Sequence, residues 1–117
     1  MISPLNSTVS ALQAYRGQME VTANNIANVN TDEFKKSRAS LQEGTSGGVQ
    51  VNIKQVDTPG QRYQALESDQ TVEKETSNVD LTEEVPQMTV TQHAYQANMK
   101  VIQTQDEMLG NMLNIIG

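Results

Sequence analysis

The sequence predicts a mainly α-helical fold, in which two long terminal helices pair as an antiparallel coiled-coil hairpin with a small β-hairpin or strand excursion between them. Three observations support this fold class. Apolar residues recur at helical spacing near both ends, and glycines followed by an alternating pattern mark the middle. The charges are concentrated in residues 31–84, so both ends present mostly neutral polar and apolar side chains. We therefore divide the chain into residues 1–38, 39–77 and 78–117.

The C-terminal segment has the clearest periodicity. Stepping alternately by four and three residues from Leu81 meets an apolar side chain at nearly every position, with Gln92 and Asp106 as the exceptions. The predicted seam of this helix consists of Leu81, Val85, Met88, Tyr95, Met99, Ile102, Leu109, Leu113 and Ile116.

A second apolar set repeats every seven residues on another face of the same helix, and it consists of Ala94, Val101, Met108 and Ile115. Two apolar faces indicate two neighbours, so we expect this set to contact adjacent subunits. The helix would be about 50 Å long. A compact domain of this length is only about 35 Å across, so we expect an elongated molecule. The alternative is an ordinary helical hairpin that buries its core within one monomer.

The N-terminal segment carries the matching stripe, which begins at Ile2 and has Arg16 as its one polar member. Its predicted seam residues are Leu5, Val9, Leu12, Met19 and Ile26. Ser3 is the expected helix cap, and Pro4 suits the first helical position because no backbone N–H is needed there. Gly17 weakens the helix by about 1 kcal/mol relative to alanine.

The middle segment has the signals of short strands and turns. Gly44, Gly47 and Gly48 break the helix, and Val49, Val51 and Ile53 then alternate with polar residues. Pro59 and Gly60 predict a turn, after which residues 62–66 form the returning strand. The acidic stretch 67–84 is expected to be a solvated loop.

Pro86 constrains where the second helix begins. A start at Asp80 places this proline inside the helix at a cost of roughly 3 kcal/mol. We therefore expect Thr82 to be the cap, which puts Pro86 in the first turn; a kinked helix is the alternative.

Composition excludes several functions. The net charge of −6 is unfavourable for nucleic acid and for anionic membranes, and no apolar run is long enough to span a bilayer. His93 is the only histidine and there is no cysteine, so paired-histidine and thiolate metal sites are ruled out. No nucleophile, phosphate-loop or dinucleotide motif occurs, so we expect no enzyme activity, no catalytic residue and no cofactor. The first residues lack the features of a cleavable signal peptide.

An asparagine-rich motif follows the first helix, with the sequence ANNIANVNTDEFKK over residues 23–36. By chemistry alone, asparagines at a helix end form a polar cap and turn. The motif closely resembles the N-terminal signature of the bacterial flagellar rod, hook and hook-associated family, usually A-N-N-[IL]-A-N-x-N-T-x-G-[FY]-K. The matching residues are Asn24, Asn25, Ile26, Ala27, Asn28, Asn30, Thr31 and Phe34. Glu33 replaces the usual glycine, so the turn before Phe34 is expected to be more helical.

A second resemblance lies at the other end of the chain. SNVDLTEEV over residues 77–85 and QHAYQAN over residues 92–98 resemble the start and core of the same family's C-terminal helix, with Pro86 as a departure. The short middle is too small for the large β domains of distal members. The resemblance is therefore to the short proximal-rod proteins FlgB and FlgC.

The resemblance implies a structural subunit of the basal-body rod, the drive shaft of the flagellum. Its partners would be copies of itself and homologous rod proteins, together with adjacent ring or export-gate proteins. It would lie in the periplasm-spanning rod after export without a cleaved signal peptide. The alternative is a rod-like adaptor or export-linked paralogue that is present in few copies.

Overall fold

The computed structural model describes residues 4–117, so Ile2 and the expected cap Ser3 lie outside the described residues. Two long helices flank two antiparallel β-hairpins, and the molecule measures 81 × 25 × 21 Å, which confirms the mainly α-helical, elongated fold. The elements are α1 (Pro4–Ala27), β1 (Ser37–Glu43), β2 (Val49–Gln55), β3 (Arg62–Glu67), β4 (Gln70–Glu75) and α2 (Leu81–Ile116). The predicted division at residues 38 and 77 stays a prediction.

The two helices run antiparallel. Asn25 of α1 hydrogen-bonds to Glu84 of α2, and Gln18, seven residues earlier, lies within hydrogen-bonding distance of Thr91, seven residues later. At 1.5 Å per residue, the 36 residues of α2 extend about 54 Å and the 24 residues of α1 about 36 Å. The C-terminal part of α2 therefore extends past the described residues of α1.

The start of α2 differs from the prediction. Asp80, not Thr82, caps the helix: its carboxylate accepts from the Thr82 backbone N–H at 2.9 Å and from the Thr82 hydroxyl at 2.6 Å. Pro86 consequently lies inside the helix, in its second turn. The prediction of Thr82 was wrong because it gave the proline cost more weight than the stronger capping by an aspartate next to the positive helix end.

The first hairpin pairs β2 with β1, which runs before it. Pairing of the Val49–Ile53 strand with residues 62–66 was therefore a wrong prediction. The tip is tight because Gly47 and Gly48 adopt φ values of 82° and 80°, which glycine reaches without strain. The hairpin packs on α1 where Gly17 leaves room: a methyl group there would lie 3.2 Å from Val51 Cγ1.

The second hairpin pairs β3 with β4, and β4 occupies residues that were predicted to be loop. The prediction was wrong over residues 70–75 because it took the charges of QTVEKE as solvation, although charged residues alternate readily on an exposed strand. The turn passes through Ser68 and Asp69, both with positive φ.

The apolar core is very small. Among residues 4–117, Ala14 is the only fully buried apolar residue, whereas the other buried side chains are polar. The buried polar residues are Thr8, Thr22, Asn25, Glu84 and Thr91. Hydrogen bonds therefore carry much of the contact between the helices and the first hairpin.

Candidate assembly interface

Asn25 joins three elements through one side-chain amide. It is 1% exposed, and its Oδ1 accepts from the Ser37 backbone N–H at 3.0 Å while its Nδ2 donates to the Ser37 carbonyl at 2.8 Å. The same Nδ2 donates to Glu84 Oε2 at 3.1 Å. The Asn25 amide therefore pairs with the Ser37 backbone as a neighbouring strand would, and it also hydrogen-bonds to α2. We call Asn25, Ser37, Arg38 and Glu84 the junction.

The carboxylate of Glu84 is the buried charge of the junction. It is 1% exposed, and Arg38 Nη1 lies 3.6 Å from Oε1, an oxygen that accepts no hydrogen bond from the described residues. The preceding Glu83 is exposed and pairs with Lys36 at 3.1 Å and with Arg38. The first turn of α2 therefore faces basic residues of β1 and of the segment before it, and a buried carboxylate requires such partners.

The asparagine-rich motif forms the turn that follows α1. Asn28 donates through Nδ2 to the Asn24 carbonyl at 2.9 Å and to Asn24 Oδ1 at 3.1 Å, and its own Oδ1 accepts from the Thr31 hydroxyl at 3.1 Å. Ile26 and Phe34 are half-buried, whereas Ala27 and Asn30 are exposed. Asn25 therefore binds across the fold, while Asn24 and Asn28 close the end of the helix.

Glu33 keeps a glycine-type turn although it is not glycine. Its φ is 61°, in the left-handed region that favours glycine, and its N–H donates to the Glu75 carbonyl at 2.8 Å. The expectation of a more helical turn was therefore wrong: the bond to β4 holds the left-handed conformation at this position.

Asn78, in the second signature, ties the turn to the start of α2. Its Oδ1 accepts from the Lys36 N–H at 2.7 Å, and its Nδ2 donates to the carbonyls of Val56 and Thr58 at 2.8 and 2.9 Å. Its backbone N–H donates to the Phe34 carbonyl at 3.3 Å. The two signatures, far apart in sequence, thus meet in one hydrogen-bonded cluster.

The predicted seam residues fall into two groups in the folded chain. Six are half-buried, namely Leu12, Met19, Ile26, Met88, Tyr95 and Ile102. Eight are exposed, namely Leu5, Val9, Leu81, Val85, Met99, Leu109, Leu113 and Ile116. The seam therefore only partly coincides with the surface on which α1 and α2 meet, and its role in holding the two helices together stays a prediction.

A polar row occupies the side of α2 that faces α1. Glu84 and Thr91 are buried, and Asn98 and Gln105 continue the same seven-residue spacing and are half-buried. The Thr91 hydroxyl lies 3.2 Å from Gln18 Oε1 and 2.8 Å from the carbonyl of Gln87 in its own helix. This row was missed from sequence because only apolar repeats were followed; its signal is the seven-residue spacing of polar side chains.

The predicted inter-subunit face flanks this polar row. Ala94 is half-buried, whereas Val101, Met108 and Ile115 are exposed, the last of them 85% exposed. Large apolar side chains also surround the C-terminal turns of α2, where α1 no longer covers them. Exposed apolar surface of this extent is typical of a protein-binding surface.

Ion pairs and hydrogen bonds lower the pKa of three carboxyl groups, those of Glu75, Asp80 and Glu83. The Lys35 ammonium and the Gly60 N–H hold the pKa of Glu75 below its ordinary value, and Lys36 and Arg38 do the same for Glu83. The Thr82 hydroxyl and backbone N–H lower the pKa of Asp80. Conversely, a hydrogen bond to Asp32 raises the pKa of Tyr63. These groups stabilise the fold in their usual charge states.

No group of three or more histidine, aspartate and glutamate side chains within residues 4–117 is placed to hold a metal ion. Neither described helix is long and apolar enough to cross a membrane. His93 lies exposed on α2, next to Gln92.

Comparison with protein families matches both ends of the chain. Residues 5–35 match the family described as flagella basal body rod protein, and residues 73–115 match the C-terminal region described as flagellar basal body rod FlgEFG protein. The first match contains Asn25 and the second contains Glu84, which are in contact in the structure. Each end therefore resembles the corresponding end of one group of flagellar proteins.

Individual relatives agree with this result. The flagellar hook protein FlgE of Borreliella burgdorferi is 42% identical over 60 residues, which is 51% of this chain. The flagellar basal-body rod protein FlgG of Bacillus subtilis is 49% identical over 41 residues and the FlgE of Helicobacter mustelae 55% over 41 residues, each 35% of this chain. The aligned regions span only 14%, 16% and 9% of these three relatives.

Proposed function

Since the chain belongs to the flagellar rod and hook family of structural proteins, we propose that it is a subunit of the basal-body rod, the drive shaft of the flagellum. The observation that carries this proposal is the junction, where residues of the two family signatures bind each other. The matched regions thus form one folded unit.

The proposed mechanism follows from the exposed apolar surface of α2. A shaft transmits torque through many lateral contacts between subunits, and apolar side chains that are exposed in a single chain provide such contacts. The partners are other copies of this chain and homologous rod subunits, with adjacent ring or export-gate proteins at the end of the rod. The relatives above include hook proteins as well as a rod protein, and the short middle of this chain favours the rod.

Location and delivery belong to the same proposal. The subunit lies in the periplasm-spanning rod and is exported without removal of a signal peptide. The rival is a rod-like adaptor or export-linked paralogue present in few copies, and counting the chain in purified basal bodies separates the two.

A double variant tests the assembly surface. Val101→Glu with Met108→Glu places two charges seven residues apart on the exposed apolar face, so we expect basal bodies to lack the rod beyond this subunit and swimming to be lost. Secretion of the variant should continue, as measured by immunoblotting of the culture medium.

The matched control adds the same charge elsewhere on α2. Gln96→Glu with Gln103→Glu has the same spacing on a polar, exposed side of the helix, and we expect normal swimming. Normal swimming of the Val101 and Met108 variant would contradict the proposed assembly surface.

A further inference from the structure

We propose that the buried pair Asn25 and Glu84 is a register lock, which selects one alignment of α1 against α2 that the apolar contacts do not select. The lock acts within the folded subunit, whether that subunit belongs to a rod, a hook or an adaptor. Glu84 and Asn25 are thus positioning residues.

The apolar contacts between the helices are too few to define the alignment. Ala14 is the only apolar residue that is fully buried within residues 4–117, and the half-buried apolar side chains recur every seven residues along α2. A repeat of this kind packs almost equally well after a shift of seven residues, which moves one helix by about 10 Å along the other. Selection of one alignment therefore rests on a polar contact whose partners differ from those one repeat away, where Thr91 meets Gln18.

The junction supplies such a contact because the orientation of the Asn25 amide is fixed. Ser37 binds both its oxygen and one N–H, so the remaining N–H faces α2 and needs an acceptor. Glu84 Oε2 is that acceptor, and Arg38, the residue after Ser37, approaches the other carboxylate oxygen. A donor on α1 and a cation on β1 thus fix the position of one carboxylate on α2.

Shifted alignments leave one member of this pair without its partner. A shift of seven residues in one direction places Glu84 beyond Ala27, the last residue of α1, where no amide of α1 reaches it. The opposite shift places Asn25 level with Ser77, before α2 begins. A buried polar group without a partner is unfavourable, so both shifted states are disfavoured. A single buried polar pair sets the alignment of coiled coils in the same way.

Distance measurements between two spin labels test the lock. The chain has no cysteine, so Gln13→Cys and Gln96→Cys, both exposed and level with each other, place the labels selectively. The labelled protein should give one narrow distance distribution. Adding Asn25→Leu and Glu84→Leu should keep the helices but add a second population, produced by an axial offset of about 10 Å. Glu84→Gln retains an acceptor oxygen and should restore the single distribution.

The distance distributions of the variants decide whether Asn25 and Glu84 select the alignment of the helices. One narrow distribution in the folded double leucine variant overturns the proposal. If that variant unfolds, Glu84→Met decides in its place, because it leaves the Asn25–Ser37 bonds intact: two populations support the lock and one population refutes it. If both apolar variants unfold while Glu84→Gln stays folded, the pair holds the fold itself and the proposal is wrong.

Discussion

At the Asn25 amide, hydrogen bonds from one side chain of α1 reach both the strand β1 and the helix α2. Asn78 has the same role at the start of α2. The requirement for asparagine is chemical, since only an amide of this length offers a donor and an acceptor to one backbone position. The signature residues therefore act through defined atoms and not through general polarity.

Glu33 leads to a prediction about a single residue. Glu33→Gly should raise the free energy of unfolding by about 0.5–1 kcal/mol, because glycine adopts positive φ without the steric cost that glutamate has, although it gains more freedom in the unfolded chain. Urea unfolding followed by circular dichroism measures the change. Glu33→Ala is the control and should give no such gain; a loss of stability in the glycine variant would contradict the assigned backbone conformation.

Among the elements, both helices, β2 and β3 were predictable from sequence, whereas β1 and β4 were not. The helices have long apolar repeats, and β2 alternates three branched apolar residues with polar ones. In contrast, the sequences of β1 and β4, SRASLQE and QTVEKE, contain few apolar residues, and their pairing depends on turns with positive φ. The contact surface of α2 was missed for a related reason, since its central row is polar.

Two glycines lead to opposite predictions for their elements. A methyl group at Gly60 would lie 2.0 Å from the Thr76 carbonyl oxygen, so Gly60→Ala should destabilise the fold by about 2–3 kcal/mol. Gly110 has open space around it within α2, so Gly110→Ala should stabilise the helix by about 1 kcal/mol. Thermal unfolding of both variants measures these changes, and similar effects of the two substitutions would refute the close approach at Gly60.

Over the whole molecule, the folded chain is long, has little core and leaves the C-terminal half of α2 largely uncovered. Leu113, Ile115 and Ile116 are among its most exposed apolar residues. A structure of this kind is marginal as a monomer, and the proposed neighbouring subunits would bury more of its apolar surface. The fold and the proposed role as a subunit are thus consistent with each other.

The ion pairs that join the middle to the ends predict acid sensitivity of the whole fold. The pKa values of Glu75, Asp80 and Glu83 are lowered on folding, so their contribution is fully present above the ordinary values of 4.5 for glutamate and 3.8 for aspartate. This stabilisation decreases as the pH falls below the ordinary pKa values, and it is lost once the pH falls below the lower pKa values of the folded state. The melting temperature should therefore fall between pH 5 and pH 3, as scanning calorimetry would record.

A control isolates the carboxylates. In Glu75→Gln with Glu83→Gln, the decrease between pH 5 and pH 3 should be smaller than in the unaltered chain, because two of the titrating groups are absent. An equal decrease in both proteins would show that other groups cause the acid sensitivity.

A helical reconstruction of purified basal bodies by electron cryomicroscopy would show whether this chain is a repeated structural subunit of the rod. We expect density for two antiparallel helices and two short hairpins at each of several successive subunit positions, with Val101 and Met108 against a neighbouring subunit. A rod in which this chain is absent, or is present only as an isolated copy, would contradict this expectation.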